Sequence, residues 1–341
     1  MNNFSVNSHF FAVIENDNRS LQLPLMNLIN VISTIIVFIL LYAIISRKRK
    51  KESQIYQIVL ITHCFTLWLS QVYWGSFHSL VFLFPFPGLY GIGYLAPFLS
   101  SYVLVIIWIF LFAITVFTMF IILILRLRGV TRKNSNFYFS TTAYSIFSAF
   151  FAMYIAIPMP FCWISAGSSI SETQDFVRKF YPNATKVLDI PGIFVYTDSW
   201  KFHRILVVAM VLLVSGGVLY IFLCQIIIYE IRLQCKLWSE KIVKYHRKAL
   251  KDTIIQNLLF GTFLAAIPLF QILNAYRDPE VDTITTTIIT NAIFVSSPIP
   301  YAITIFCQNT QYRQAVITTF RVQPKPPNVG STIQVSVARP I

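Results

Sequence analysis

The stretch SYVLVIIWIFLFAITVFTMFIILIL, residues Ser101 to Leu125, contains no charged side chain. As an α-helix it would be about 37 Å long, more than the roughly 30 Å hydrocarbon core of a bilayer. A core helix of a soluble protein is also apolar all round, but it is rarely this long. The stretch ends at a basic cluster of Arg126, Arg128, Arg132 and Lys133. An apolar helix with basic residues at one end is typical of a membrane span, so we predict that this stretch crosses a bilayer.

The composition of the whole chain agrees with a membrane protein. Of its 341 residues, 56% are apolar and only 12% are charged, about half the charged share of an average soluble domain. The net charge of +14 comes from short basic blocks between apolar runs, a pattern that favours an anionic membrane face over nucleic acid. Five scattered cysteines show neither metal-ligand nor paired spacing. Because the first twenty residues lack the apolar core of a signal peptide, we expect the first span to act as the targeting signal.

Further apolar runs on both sides of this stretch predict an all-α membrane protein, a bundle of seven transmembrane helices. We number these spans 1 to 7; they cover Leu25–Ser46, Ile55–Trp74, Ser101–Leu125, Tyr138–Phe161, Ile205–Tyr229, Thr253–Ala275 and Ile284–Phe306. The aromatic connection 75–93 is predicted to lie in the membrane interface without spanning. The chain thus divides into an N-terminal tail (1–23), a helix bundle (24–307) and a C-terminal tail (308–341) that begins with a short amphipathic helix.

Charges and glycosylation sequons orient the bundle. Most of the 27 Lys and Arg residues lie in connections 1–2, 3–4 and 5–6 and in the C-terminal tail, which the positive-inside rule places in the cytoplasm. The Asn-x-Ser/Thr sequons at Asn3, Asn18 and Asn183 all fall on the opposite side, where N-glycosylation occurs. We therefore expect an extracellular N-terminus, a cytoplasmic C-terminus and glycosylation at these three asparagines.

Ionisable side chains within the predicted spans are limited to His63. Transporters and pumps normally carry acidic or basic residues near mid-membrane, and a retinal protein needs a lysine in span 7, which has none. The spans also lack a nucleophile with its base, a carboxylate pair or a cluster of metal ligands. We therefore predict no enzyme activity, no cofactor and no metal, and we favour a hydrogen bond between helices over catalysis for His63.

Neutral polar residues remain as candidates for a ligand site. Near the outer ends of spans 3, 6 and 7 these are Ser100, Ser101, Gln271, Asn274 and Asn291. They are predicted to converge on a small molecule among aromatic side chains. The competing interpretation is hydrogen bonding between helices, worth about 0.6 kcal/mol per bond in a membrane, and the residues alone leave both open.

Two prolines interrupt the last two spans. Pro268 and Pro298 each remove a backbone hydrogen bond and are predicted to bend their helices. Such bends are either fixed shape or hinges through which an outer site biases an inner face. We favour hinges, because both helices follow the most basic inner connection.

That inner connection, residues 230–252, is predicted to continue spans 5 and 6 as helices into the cytoplasm. The residues predicted to contact a cytoplasmic partner are Lys244, Arg247 and Lys248 in this connection, together with Arg126 and Arg128 at the inner end of span 3. The alternative is a topological role, in which basic residues hold the loop inside and bind anionic lipid.

Seven spans with an outer N-terminus and a basic third inner connection resemble G-protein-coupled receptors with altered motifs. Leu125-Arg126-Leu127-Arg128 stands in place of Asp-Arg-Tyr, Ala265-Ala266-Ile267-Pro268 in place of Cys-Trp-x-Pro, and Ser297-Pro298-Ile299-Pro300-Tyr301 in place of Asn-Pro-x-x-Tyr. The top of span 3 has no cysteine to pair with Cys162. With Gln311-Tyr312-Arg313 for Pro-Tyr-Arg and the outer stretch 191–198, the chain resembles the nematode serpentine chemoreceptors of the Str-type superfamily, in particular class H.

The resemblance implies a chemosensory receptor in the plasma membrane, in the cilium of a sensory neuron. Such a receptor would bind a small odorant or pheromone in the outer half of the bundle and signal through a heterotrimeric G protein. The altered motif of span 3 leaves this coupling an implication of the family. The competing function is a seven-helix ligand-gated channel or transporter. Known insect odorant channels have the N-terminus inside, against the charge distribution and the sequons of this chain.

Overall fold

The computed structural model describes residues 21–46, 51–83, 86–132, 134–235, 238–275 and 284–320. Within these ranges, the side chains at 51–53, 199, 264–268, 271–275, 284, 319 and 320 are outside the description. The predicted glycosylation sites Asn3 and Asn18 lie outside the described residues.

The described chain is built mainly from long helices, with one small sheet at one end. In chain order the elements are α1 Gln22–Ile45, α2 Lys51–Val72 with a π-helical continuation Tyr73–His78, β1 Leu80–Phe82, β2 Gly88–Gly91, α3 Ser101–Val130, α4 Thr141–Ala156, α5 Pro158–Ile164, α6 Ile170–Phe180, a 3-10 helix Pro182–Asp189, β3 Phe194–Val195, α7 Ser199–Gln234, α8 Glu240–Ala275, α9 Ile284–Val295, α10 Pro298–Gln308 and α11 Thr310–Phe320.

Each predicted span is found as helix. Among the described residues, six stretches are long and apolar enough to cross a membrane, namely Gln22–Ile45, Gln54–His78, Ser101–Val130, Thr141–Ile164, Trp200–Gln234 and Thr285–Gln308. They correspond to predicted spans 1 to 5 and 7. Predicted span 6 is the outer part of α8, a continuous helix that packs against α3, α7, α9 and α10.

Prolines divide two of the spans. α4 ends at Ala156 and α5 begins at Pro158, while α9 ends at Val295 and α10 begins at Pro298. Both breaks follow from the missing N–H of proline and from the clash of its ring with the preceding turn. The predicted interruption of span 7 at Pro298 is confirmed, and its role as a hinge stays a prediction. The predicted interruption of span 6 at Pro268 is wrong, because α8 continues through this residue to Ala275; a bend or hinge there stays a prediction, and the side chain is outside the described set.

The connection after α2 contains strands, which the sequence analysis did not predict. β1 pairs antiparallel with β2, and β2 pairs antiparallel with β3 to form a three-stranded sheet. β3 comes from the segment that precedes α7, so the sheet joins two connections at the same end of the bundle. This end carries Asn183, and we call it the outer end.

At the opposite, inner end, two helices continue past the predicted membrane spans. α7 continues to Gln234 and α8 starts at Glu240, which agrees with the prediction that the inner connection extends spans 5 and 6 as helices. Because α7 is longer than predicted span 5, Glu230 lies inside a helix and is buried. The predicted amphipathic helix after span 7 is α11, whose Tyr312 is buried in a hydrophobic cluster with residues of α1.

Candidate functional site

A roof covers the outer end of the bundle; we define it as the three-stranded sheet together with α6 and the 3-10 helix. Successive strand residues point to opposite faces of a sheet, and here both faces are buried. One face packs on the core of the bundle through Leu80, Phe82, Leu89 and Phe194. The other face packs on the helices of the roof and contributes to a separate cluster of Val81, Phe86, Tyr90, Val177, Ala184, Val187 and Val195. The roof therefore has a hydrophobic core of its own.

The outer layer of the roof is set by local sequence. α6 begins with a capping box between Ser169 and Glu172, which satisfies backbone donors at the start of the helix. The backbone N–H of Ser169 holds the pKa of the Glu172 carboxyl below its ordinary value. Asn183 lies in the 3-10 helix with an exposed side chain, an accessible position for the predicted glycosylation.

Hydrogen bonds from three helices fasten the roof to the bundle. The side chains of Gln22 in α1 and Asn291 in α9 donate to the carbonyl of Leu80, at 3.2 and 2.9 Å. In α3, the Ser101 hydroxyl accepts from the N–H of Gly91 at 2.9 Å, and the Ser101 N–H donates to the carbonyl of Gly192 at 3.0 Å. These bonds involve neutral groups and backbone, so they resist changes of pH.

The structure describes the surroundings of only some of the five predicted ligand residues. Ser101 and Asn291 are buried and hold the roof, and Asn291 also accepts from the indole N–H of Trp74 at 3.1 Å. Ser100 precedes α3 with an exposed side chain. The side chains of Gln271 and Asn274 lie outside the described set. The ligand role of these five residues stays a prediction.

Beneath the roof, aromatic side chains pack into a buried cluster; we call this region of the bundle the outer chamber. The rings of Trp74 and Trp108 are 4.4 Å apart, and each packs near Phe294 of α9. His78 is fully buried and its ring lies 5.7 Å from that of Trp74. Gln71, buried as well, precedes Trp74 by one helical turn. α2, α3 and α9 thus meet in one aromatic cluster.

Several polar atoms of the outer chamber lack partners. Among the described residues, none hydrogen-bonds to either amide atom of Gln71, to either ring nitrogen of His78 or to the indole nitrogen of Trp108. Buried polar groups are nearly always paired, and each one left unpaired costs about 1–3 kcal/mol. These atoms therefore call for a ligand or for water. Sequence reasoning missed all three residues, because a single Gln, His or Trp in an apolar span carries no distinctive spacing.

His63 bonds across helices, as predicted. It is fully buried, and its Nδ1 lies 3.1 Å from the carbonyl of Thr115 and 3.0 Å from the hydroxyl of Thr118, both in α3. Its ring also packs edge-on against Phe260 of α8 and Tyr301 of α10. One side chain of α2 thus contacts three other helices in the middle of the bundle.

At the inner end, Arg126 and Arg128 have different surroundings. The guanidinium of Arg126 donates to the hydroxyl of Tyr56 at 2.7 Å and lies 4.5 Å from the centre of its ring, which joins α3 to α2. Arg128 is exposed and reaches the hydroxyl of Thr141 at 3.3 Å. Of the two predicted coupling residues in α3, Arg128 is the more available to a partner.

Glu230 of α7 is hydrogen-bonded to the connection that follows α3. Its carboxylate accepts from the hydroxyl of Ser135 at 2.5 Å and from the amide of Gln234 at 3.4 Å. Gln234 also donates to the carbonyl of Val130 at 2.5 Å. We call this group the inner latch. The sequence pattern alone does not single out Glu230.

A crevice of about 460 Å³ opens between the inner parts of α7 and α8. The crevice is lined by five apolar residues, Ile228, Ile231, Leu250, Ile254 and Ile255, and by three basic residues, Arg232, Arg247 and Lys251. We call the basic residues its basic rim. Lys244, Arg247 and Lys248 are exposed, and Arg247 borders the crevice. The predicted coupling residues of α8 are therefore available to a partner on this surface.

The ionisable groups beside this crevice have shifted pKa values. Partial burial, assisted by the positive charge of Arg126, holds the pKa of His246 below its ordinary value. Burial raises the pKa of Asp252 against the opposing effect of Lys248, Arg126 and Lys251. Gln308 links α10 to α8 nearby, because it accepts from Gln256 at 2.6 Å and donates to the carbonyl of Asp252 at 3.3 Å.

In the described residues, no group of three or more His, Cys, Asp or Glu side chains is arranged to hold a metal ion. The five cysteines all lie in the described ranges and are free, and Cys162 is buried near the outer end. The arrangement provides a covered aromatic cluster with unpaired polar atoms at one end and a crevice with basic residues at the other.

Comparison with known proteins gives one match that covers most of the chain. The model of the family described as "Serpentine type 7TM GPCR chemoreceptor Srh" matches residues 19–322. No curated protein and no solved structure matches the chain.

Proposed function

Since the chain belongs to the Srh family of serpentine seven-transmembrane G-protein-coupled chemoreceptors, which is not enzymatic, we propose that it detects a small odorant or pheromone. The ligand binds in the outer chamber, and the signal passes to a heterotrimeric G protein at the inner crevice. We further propose that this multi-pass receptor acts in the plasma membrane of a sensory-neuron cilium, with its N-terminus outside.

The observation that carries the proposal is the set of unpaired polar atoms in the outer chamber. Gln71 offers a donor and an acceptor, and Trp108 offers a donor. Gln71 and Trp108 lie at a similar depth in the bundle. Trp108 contacts Trp74 of α2, and Gln71 is one turn further inward on α2. A ligand that fits has an apolar or aromatic body and a neutral oxygen or nitrogen that hydrogen-bonds to these groups.

Functional expression with a panel of volatile and water-soluble odorants tests the ligand site. Gln71→Leu and Trp108→Phe each remove hydrogen-bonding atoms; the first roughly keeps the size of the side chain, and the second keeps an aromatic ring that is smaller than the indole. Each change is expected to weaken an active ligand about tenfold, as for the loss of roughly 1.4 kcal/mol. Trp200→Phe is the control, because Trp200 is exposed at the start of α7. Unchanged potency in both chamber variants would move the ligand site elsewhere.

The proposed orientation is supported by the sequons and by the basic inner segments. Asn183 should be glycosylated when the protein is made with microsomes. A sequon engineered at residues 126–132 or 238–247 should remain unmodified. Modification of an inner sequon would reverse the orientation and remove the basis for G-protein contact at the crevice.

Coupling at the crevice is supported by its exposed basic rim and by the break at Pro298, which gives span 7 a point of bending. Exchange of Lys244, Arg247 and Lys248 for Gln is expected to reduce G-protein activation and leave ligand potency unchanged. The matched control exchanges Arg178, Lys179 and Lys186, which belong to the roof and carry the same charge. If the inner triple variant activates the G protein as well as the control does, the coupling surface lies elsewhere, with Arg128 the next residue to change.

A further inference from the structure

The connection between α3 and α4, residues 131–140, is fastened to the bundle through one serine. Ser135 is partly buried in a turn, and its two neighbours along the chain are exposed. Its hydroxyl donates to the carboxylate of Glu230 in α7 at 2.5 Å and accepts from the N–H of Phe137 at 3.0 Å. This hydroxyl therefore joins an otherwise accessible turn to the inner end of α7.

The partner of this hydroxyl is a buried carboxylate. Glu230 is only 1% exposed, and its hydrogen-bond partners among the described residues are the neutral hydroxyl of Ser135 and the neutral amide of Gln234. Gln234 is buried too, and no described residue donates to its amide oxygen. The inner latch thus holds more acceptors than donors. Such a site is stabilised by a donor and destabilised by a second negative charge, because burial weakens the screening by water.

The sequence around Ser135 carries a charge pattern that selects one class of modifying enzyme. Arg132 and Lys133 precede the serine by three and two positions, and residues 126–140 contain no Asp or Glu. Protein kinases select substrates by such charge patterns, and those that select basic substrates use acidic residues of their own to bind Arg and Lys before the target serine. The positive-inside rule places this connection in the cytoplasm, where ATP and kinases are present.

We infer that Ser135 is a phosphorylation site for a protein kinase that selects basic substrates, and that the phosphate holds the inner latch open. The kinase transfers the γ-phosphoryl group of ATP to the serine oxygen. The bond between the γ-phosphorus and its bridging oxygen breaks, a bond from phosphorus to Oγ forms, ADP leaves and the hydroxyl proton passes to the kinase. The product has lost the O–H that Glu230 accepts, and it carries a charge of about −1.5 to −2 at pH 7.

The inner latch also determines when the kinase acts. Because Glu230 holds the Ser135 hydroxyl in the closed arrangement, the kinase reaches that oxygen only while the connection is detached by local opening. The phosphate then opposes closure, since it would lie against the buried carboxylate. Phosphorylation therefore selects the open arrangement and prolongs it. The inference goes beyond the proposed function and shares with it only the cytoplasmic placement of this end.

The first experiment treats the full-length protein in lipid nanodiscs, which expose both ends, with MgATP and the catalytic subunit of cAMP-dependent protein kinase. Site-resolved mass spectrometry should find phosphate on Ser135. Glu230→Gln weakens the latch and should raise the rate about three- to tenfold, whereas Arg132→Gln should lower it about tenfold. Ser140 is exposed on the same connection and lacks basic residues at these two positions, so it should stay unmodified. Absence of phosphate on Ser135 in both wild type and Glu230→Gln would overturn the assignment.

The second experiment tests the latch without a kinase, by placing phosphoserine at position 135 during translation. Amide hydrogen exchange of residues 228–234 should become about fivefold faster or more than in wild type, and Glu230→Gln should reduce this gain because no charge then faces the phosphate. Phosphoserine at position 140 is the matched control, since it adds the same charge to the same connection outside the latch. Equal exchange in the two phosphoserine proteins would overturn the proposed opening. Neither ligand nor G protein takes part, so failure here leaves the proposed function untouched.

Discussion

The two ends of the bundle are closed in different ways. At the outer end, a sheet buried on both faces covers the helices and is held by bonds from α1, α3 and α9. At the inner end, the described residues of α7 and α8 leave a crevice between them, and contacts such as Ser135 to Glu230 and Gln256 to Gln308 join neighbouring segments. The outer end is thus covered by an added packed layer, whereas the inner end combines hydrophobic clusters between the helices with an open crevice beside them.

This difference has a physical consequence for how the ends respond. At the inner end the crevice leaves space between α7 and α8 into which the two helices can move. At the outer end the corresponding movement has to separate the roof from the apolar core of the bundle. Such an arrangement suits a receptor whose ligand side stays formed while its inner side changes shape.

The largest expected effect breaks the roof. Phe86 is fully buried in the cluster of the roof, 5.2 Å from the ring of Tyr181. Phe86→Ala should destabilise the roof by about 3–5 kcal/mol through the cavity it leaves. Limited proteolysis within residues 170–198 and thermal unfolding measure the loss. Phe180→Ala, at an exposed position of the same layer, serves as the control, and equal effects would show that the roof has no core of its own.

The next prediction tests whether Asn291 holds the roof or contacts the ligand. Asn291→Leu leaves the indole N–H of Trp74 unpaired, at a cost of roughly 1–3 kcal/mol. It also removes one of the two donors to the carbonyl of Leu80, which keeps its bond from Gln22. Thermal unfolding of the ligand-free protein should therefore shift downward. Ser100→Ala, at an exposed position, should change stability by less than about 0.5 kcal/mol. A normal unfolding temperature for Asn291→Leu, with weakened ligand potency, would instead assign Asn291 to the ligand.

A smaller effect is expected when the hydrogen bond between Ser135 and Glu230 at the inner end is removed. Ser135→Ala removes one donor from the buried carboxylate of Glu230, and we expect a loss of about 1.5 kcal/mol, as for a bond to a charged group. Basal nucleotide exchange on a co-reconstituted G protein should rise, because the inner latch holds α7. Ser145→Ala removes an exposed hydroxyl bonded within its own helix and should leave both measurements unchanged.

The smallest effect is on pH dependence. The folded protein holds the pKa of His246 below its unfolded value, chiefly by burial and then by Arg126. Below the unfolded value near 6.5, the unfolded chain binds a proton that the folded chain resists, so stability falls as the pH drops and levels off below the folded pKa. His246→Phe keeps an aromatic ring against Trp238 and should flatten the unfolding temperature between pH 7 and 5. An unchanged slope would assign the pH dependence to other groups.

The sequence by itself determined the spans of the bundle. Lipid offers no hydrogen bonds to the main chain, so a span must be a helix or part of a closed barrel. Uncharged runs of about 20 or more residues have the length of a helical span and are about twice as long as a strand that crosses the membrane. The break at Pro298 is also local, because proline has no N–H to donate and its ring clashes with the preceding turn whatever the neighbouring helices are. The basic residues at the ends of the runs add the predicted orientation, and the altered motifs from Leu125 to Tyr301 were sufficient to indicate the family.

Only the tertiary structure decided which polar side chains are satisfied. Ser101 and Asn291 hold the roof because strands from two distant connections meet above α3 and α9, and these pairings leave no local periodicity of their own. Gln71 and Trp108 stand out only because the described residues around them supply no hydrogen-bond partner. Hydropathy and charge act along the chain and can be read from it, whereas hydrogen-bond satisfaction is a property of neighbours brought together by packing.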